Sequence, residues 1–509
     1  MTAALGIQTD HFDHTAEDRP HLAVAPLLWI AGAFVALEMA VSARYGFHRD
    51  ELYFLACAHH LAWGYVDQPP FVPAVAWFST HLFGTSTVSI RVFPAVAGGL
   101  SIFLTAAMAR ELGGGRKAQV LAACAAATSP QVVATFHLLS TASFDLMFWS
   151  AISFLTLRLL RTGEERLWLA VGAIAGLGLL NKWTVAFLLA GLVMALLVTD
   201  RRRMLLSGWF WAGMALALLI WSPNLDWNAR HDWAAVSMMH SLHSENSTLG
   251  ASIGFIPSQV IVVGPVLIVF WLAGLRRLLK TPFARPMGVT YLVLLALFTL
   301  IGAKSYYLGG LYFVLFAAGG AWAEERIDGQ VRPHGVRRWL ALMLAGLVLS
   351  LPLALPVLPE TALARGSWEG QINKDLSATV GWPQFVGQIA RVSAGLPTLQ
   401  RANLVVFTGD YGAAGAIDLF GRRYGLPPAI SGHNNYWWWG PAGARDGATT
   451  IAVNLPRSYL LTIFSRVTPA GTVTTPDGVW TEERGDPIWI CTGQKVGWAQ
   501  AWPGARHYG

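Results

Sequence analysis

Few residues in this chain could carry chemistry, because Asp, Glu, Lys and Arg together make up only 13% of its 509 residues. The candidates are the carboxylates Asp50, Glu51, Asp67 and Asp145, the cations Lys182, Arg230 and Lys304, and beside them His231 and Tyr306. A carboxylate within hydrogen-bond reach of a hydroxyl can take its proton as that oxygen attacks. Lys and Arg make charge-assisted hydrogen bonds to phosphate oxygens. Asp50, Asp67, His231 and Asp232 also have the donor types of a divalent-metal site. Their spacing matches no metal motif, so no cofactor is assigned. Cys57, Cys124 and Cys491 show no CxxC spacing and imply neither zinc nor a disulfide framework.

Each candidate also has a plain structural role to set against the chemical one. Asp50 or Glu51 can be a first-turn carboxylate favoured by the helix dipole, and Asp145 can be a helix N-cap. Lys182 and Lys304 can be anchors that snorkel to the interface. His231 can be a solvated histidine, and the Trp437–Trp439 run can be packing. The elements that carry these residues decide between the two roles.

Hydrophobic residues make up 54% of the chain, with 23 Trp, and the mean hydropathy is +0.45. A soluble protein carries about 25% charged residues, so this composition excludes an ordinary cytosolic enzyme, a disordered chain and a coiled coil. Apolar runs long enough to span a bilayer (roughly 17–25 residues) lie near 22–42, 88–110, 118–137, 145–161, 167–181, 183–199, 204–222, 253–275, 287–303, 305–323 and 338–357. These runs predict about 11 transmembrane helices. Segment 44–87 is too polar to span, and its Asp50–Trp63 and Pro70–Phe83 stretches predict surface helices. Residues 1–20, with one Arg and no Lys, predict a disordered cytoplasmic tail rather than a signal peptide. After about 358 the apolar runs stop. Leu404–Phe407, Asp410–Arg423 and Pro427–Ile430 then predict a β–α–β pattern within a small α/β domain over 359–509.

Numbering the loops alternately puts Arg110/Arg116/Lys117, Arg158/Arg161/Arg166, Arg201–Arg203, Arg276/Arg277/Lys280/Arg285 and Arg326/Arg332/Arg337/Arg338 on one side. The positive-inside rule makes that side cytoplasmic. The same rule accounts for the net charge of +7 without nucleic acid. The N-terminus is then cytoplasmic and the C-terminal domain extracytoplasmic. The candidate residues fall on the outer side: Asp50, Glu51 and Asp67 after the first helix, Asp145 at the start of the fourth, Lys182 at the end of the fifth, Arg230 and His231 in loop 223–252, and Lys304 and Tyr306 in a short turn. A transporter or flippase, the alternative function, holds its charges near the midplane and carries internal repeats. Charges gathered at one interface suit a reaction on a lipid head group instead.

Several motifs then resemble a known family. His48-Arg49-Asp50-Glu51-Leu52-Tyr53-Phe54 and Leu61-Ala62-Trp63-Gly64-Tyr65-Val66-Asp67-Gln68-Pro69-Pro70 resemble the first outer loop of bacterial glycosyltransferase family 39-like proteins. These are GT-C superfamily relatives of the dolichyl-phosphate-mannose protein mannosyltransferases and the lipid A aminoarabinose transferases. Phe144–Phe148, Gly176–Lys182, Asn224–Trp233 and Lys304–Leu308 resemble further family segments, in order, and the resemblance covers about residues 20–330. Asp410-Tyr411-Gly412 and Ser431-Gly432-His433-Asn434 resemble the outer domain of some bacterial members. Gln68 stands where the aminoarabinose branch has a Lys implicated in holding the donor phosphate, and the chain has no counterpart of the β-trefoil domains of eukaryotic members.

The resemblance implies a GT-C membrane domain over 21–358. It also implies a polyprenyl-phosphate-linked sugar donor in the bilayer and a hydroxyl acceptor in the cell envelope (a glycan, lipid or protein). Transfer would be a single inverting displacement. By the same resemblance Asp50 is the base and Asp145 a second carboxylate. Glu51, Asp67, Lys182, Arg230, His231, Lys304 and Tyr306 are then substrate-binding residues, with the cations on the departing phosphate. A nucleotide-sugar donor does not fit, because the carboxylates face outward and the 401–431 segment lacks G-x-G-x-x-G.

Overall fold

The computed structural model describes residues 20–246, 249–329, 335–364 and 374–508. Residues 1–19 of the expected tail lie outside the described residues. The first part of the chain is helical: α1 (Val24–Val41), α2 (Arg49–His59), α3 (Phe71–Phe83), α4 (Thr87–Glu111), α5 (Arg116–Ala127), α6 (Pro130–His137), α7 (Thr141–Thr162), α8 (Leu167–Leu179), α9 (Thr184–Val198), α10 (Gly208–Arg230), α11 (Ala234–Asn246), α12 (Leu249–Val263), α13 (Ile268–Lys280), α14 (Arg285–Leu300), α15 (Gly309–Asp328) and α16 (Gly335–Ala354). Every apolar run read from the sequence lies on one or two of these helices. The two stretches expected to be surface helices form α2 and α3. α3 keeps Trp77, Phe78 and Leu82 exposed, but α2 is buried from Glu51 to Ala58 because helix Tyr411–Phe420 packs on it.

Two of the runs are not straight spans. Run 118–137 breaks into α5 and α6 at 58°, and run 253–275 breaks between Ser252–Val263 and Pro265–Lys280 at 95°. Proline is the cause in both. It lacks the N–H that a continuing helix needs and drives the residue before it out of the α region. Ser129, before Pro130, is extended with ψ 127°, and Gly264, before Pro265, sits at φ 95°. The breaks meet. Ser129 Oγ donates to the Val263 carbonyl at 3.2 Å, and a Cβ on Gly264 would lie 2.9 Å from Pro130 Cδ. Runs 167–181 and 183–199 form the separate short helices α8 and α9. Among the described residues, five single helices and these two bent pairs are long and apolar enough to cross a membrane, and α3, α8, α9 and α14 are shorter apolar helices.

The basic loops share one end of the bundle. There Arg161 Nε meets Glu111 at 2.5 Å, Arg277 pairs with Glu325, and Lys117 Nζ meets Asp328 at 2.5 Å. At the opposite end stands a five-stranded sheet with order β2-β1-β3-β5-β4. Its strands are β1 (Val405–Thr408), β2 (Ala429–Ser431), β3 (Thr450–Val453), β4 (Phe464–Thr472) and β5 (Pro487–Gln494). β1 runs parallel to β2 (Val406 opposite Ala429) and to β3 (Val406 opposite Ile451). β5 is antiparallel to β3 and β4. Helix Tyr411–Phe420 makes the β1–β2 crossover, matching the expected β–α–β pattern.

Candidate active site

The site starts at the N-terminus of α2. His48 is the N-cap, and its Nδ1 accepts from the Asp50 N–H at 3.1 Å. Glu51 closes the capping box by accepting from the His48 N–H at 2.9 Å. The two adjacent carboxylates then diverge. Glu51 is fully buried and bound by Arg91 of α4, from Nε at 2.9 Å and Nη2 at 2.7 Å, and by the Leu139 N–H at 3.0 Å. Arg91 also donates to the Ser42 and Gly46 carbonyls at 2.8 and 2.9 Å. Glu51 therefore has no surface with which to touch a substrate; it ties α2 to α4 and to the start of α7. Asp50 turns the other way, with its side chain 39% exposed.

Asp50 lines a cavity of about 820 Å³. Lys182, Lys304 and Tyr306 line it too, so four of the nine sequence candidates share one wall. Lys182 reaches it because the α8–α9 break at Asn181–Trp183 turns the chain, tied by Asn181 Nδ2 to the Thr141 carbonyl at 2.9 Å. Its ammonium lies 5.2 and 5.3 Å from the ring centroids of Tyr306 and Tyr307, within cation–π range. Gln131 holds the Tyr306 carbonyl at 2.9 Å. The rest of the cavity is mainly apolar, formed by the α5–α6 and α12–α13 breaks and by one face of α16, from Met343 to Ala354. Irregular backbone at membrane depth is tolerated where it lines a cavity.

The other candidates lie off this wall. Asp145 is buried in the second turn of α7, where it accepts from Thr184 Oγ1 at 2.8 Å and faces Lys182. It is not the cap of α7, since Ser140 accepts from the Ser143 N–H at 3.2 Å. Asp67 accepts from the Tyr53 phenol at 2.9 Å. Asp67 is an exposed residue, yet protein surrounds its carboxylate closely. That desolvation, with the Asp50 charge adding to it, pushes its pKa up to about 7 against the opposing Tyr53 hydrogen bond. Arg230 is exposed and pairs with Asp226 at 3.0 Å. His231 stacks on Trp227 at 4.0 Å and packs edge-on to Trp438 at 4.9 Å. Neither Arg230 nor His231 lines the cavity. Among the described residues no three of His, Cys, Asp and Glu are disposed to hold a metal ion, so Asp50, Asp67, His231 and Asp232 do not form a metal centre here.

The structure adds residues that sequence reasoning did not single out. Arg49 Nε lies 3.8 Å from Asp50 and its guanidinium pairs with Glu482. Asp375 lines the cavity from the C-terminal part. The Tyr411 phenol donates to Asp50 Oδ1 at 2.8 Å. Nothing in the spacing signals the Arg49–Glu482 and Tyr411–Asp50 contacts, because each joins residues hundreds of positions apart.

The chain is similar to known proteins in sequence and in fold. Residues 67–227 match the dolichyl-phosphate-mannose-protein mannosyltransferase family. The lipid A galacturonosyltransferase RgtD of Rhizobium johnstonii is 27% identical over 241 residues, 46% of this chain and 50% of that protein. The chain thus spans about half the length of the curated relative it matches. In architecture, ArnT from Cupriavidus metallidurans, solved bound to undecaprenyl phosphate, superposes with a TM-score of 0.60 at 14% identity, over 92% of this chain and 98% of ArnT. The mycobacterial arabinofuranosyltransferase AftD gives a TM-score of 0.50 at 15% identity, over 93% of this chain and 42% of AftD. Segment, relative and whole-chain architecture agree: this is a polytopic membrane protein of GT-C type, similar in sequence to the dolichyl-phosphate-mannose-protein mannosyltransferases across residues 67–227.

Proposed function

We propose that the protein is an exofacial glycosyltransferase that moves a sugar from a polyprenyl-phosphate-sugar to a hydroxyl of a cell-envelope acceptor. The observation that carries this reading is the cavity, which joins two carboxylates (Asp50 and Asp375), two lysines and Arg49 to a long apolar surface. That pairing suits an anionic head group on an isoprenoid tail, the kind of ligand named in the ArnT structure. Asp50 takes the proton of the acceptor hydroxyl as its oxygen attacks the anomeric carbon. The bond from that carbon to the phosphate oxygen breaks, and Lys182 and Lys304 compensate the charge that gathers on the departing phosphate. The displacement inverts the anomeric centre, and no covalent sugar intermediate forms. Asp145, whose charge interacts with that of Lys182, positions that ammonium. The basic end of the bundle is cytoplasmic and the sheet extracytoplasmic, as the positive-inside rule requires.

The test offers labelled polyprenyl-phosphate sugars and crude envelope acceptors to membranes carrying the wild type or Asp50→Asn. The expected result is consumption of one donor by wild type and a loss of roughly 10²–10⁴-fold in the variant. A variant as active as wild type removes Asp50 from the role of base. A folded wild type that consumes no donor overturns the transferase reading.

A further inference from the structure

The carboxyl ends of the parallel strands β1 and β2 point at the two outer-loop carboxylates. After β1, Asp410 caps helix Tyr411–Phe420 by accepting from the Ala413 N–H at 2.7 Å, and Asn454, just after β3, donates to the same carboxylate at 3.1 Å. This anchors the first helical residue, Tyr411, over α2. The helix approaches α2 on a face of small residues. A Cβ on Gly412 would lie 2.9 Å from Arg49 Cβ, and one on Gly415 would lie 2.9 Å from the Leu52 carbonyl. Only this close approach lets the phenol reach Asp50 Oδ1 at 2.8 Å. The ring is held between Tyr53 at 4.8 Å and His433 at 4.7 Å. After β2, Asn435 accepts from the Val66 N–H at 2.6 Å, and its own N–H donates to the Tyr53 oxygen at 3.3 Å. Tyr53 in turn holds Asp67 at 2.9 Å.

We propose that the C-terminal α/β unit is a working part of the catalytic site, in which Tyr411 is a positioning residue that orients Asp50. This rests on Asp50 being the base. The phenol selects the Asp50 rotamer, because Asp50 is otherwise a partly exposed side chain with looser neighbours at 3.7 Å (His48) and 3.8 Å (Arg49). Burial and the Asp50 charge push the Tyr411 phenol well above its ordinary pKa, so it remains a donor.

The experiment compares full-length wild type, Tyr411→Phe and a distant control, Tyr459→Phe, by two readouts. The first is kcat and KM on the labelled polyprenyl-phosphate sugars. The second is the rate of carbodiimide modification of Asp50 at one pH, read by peptide mass spectrometry, which needs no turnover. In Tyr411→Phe kcat should fall by roughly 10–10²-fold, because a misplaced catalytic group costs that much, and Asp50, no longer held, should be modified faster. The KM for donor should change little, and Tyr459→Phe should match wild type. If Tyr411→Phe does not fold, Tyr411→Met fills the space without a donor and takes its place. A Tyr411→Phe with unchanged kcat and an unchanged rate of Asp50 modification overturns the positioning role while the transferase reading stands. A wild type idle with every donor overturns the transferase reading, and the modification rate then reports on the Tyr411–Asp50 contact alone.

Discussion

Asp50 and Glu51 show how one position changes a side chain's role. A 100° step around α2 puts the first into a cavity and the second onto a buried arginine, and the motif that contains both does not say which is which. The difference predicts opposite phenotypes: Asp50→Asn keeps the fold and loses turnover, whereas changes at Glu51 act through folding. Lys182→Gln and Lys304→Gln test the leaving-group role. Removing one preorganised donor to developing charge costs roughly 10²–10³-fold in turnover, so each should lower kcat on the labelled donors in a protein that still folds. Asp67 gives a pH prediction. Its pKa is raised from the usual aspartate range to about 7 in the folded protein. A raised pKa means that the folded state prefers the neutral acid, so this contribution is full below about pH 4. It is lost as pH rises through about 7. Asp67→Asn should therefore flatten the fall in melting temperature between pH 5 and 7.5. An unchanged slope assigns that fall to Glu483 and Asp486, which burial also raises to about 7.

At the scale of elements, the buried Glu51–Arg91 pair and the two broken helices hold the site open. Breaking a buried pair by removing one partner costs about 3–5 kcal/mol, because the other charge stays buried and unpaired. Arg91→Ala should therefore unfold much of the protein on heating in detergent, and the double variant Glu51→Gln/Arg91→Met should recover part of the loss. At the α12–α13 break, Gly264→Ala forces a side chain onto φ 95° and against Pro130, a strain of about 1–3 kcal/mol, and thermal unfolding should show it. The helices were legible because apolar runs of the right length are a local property. The breaks were not read, although Pro130 and Pro265 are plain in the sequence. Hydropathy alone treats a proline inside an apolar run as more run, while the backbone loses a hydrogen bond there and turns.

At the scale of the whole molecule, all the candidate chemistry gathers at one end of the bundle and the basic loops at the other. The orientation is testable with single cysteines, since native Cys57 and Cys491 are buried and Cys124 is half-buried. Arg203→Cys should react with a membrane-impermeant maleimide only after cells are opened, and Arg466→Cys should react in intact cells. The reverse pattern would invert the topology. The sequence by itself determined the class of protein, the outer-loop motifs that carry Asp50 and Asp67, and the β–α–β order of the C-terminal part, because composition, periodicity and short motifs are properties of neighbours along the chain. Only the tertiary structure decided which candidates share a cavity. It set Glu51, Arg230 and His231 apart from that wall and brought Tyr411 to Asp50 across 361 positions. Such meetings depend on how helices cross and where they break, and no local pattern encodes the partner at the far end.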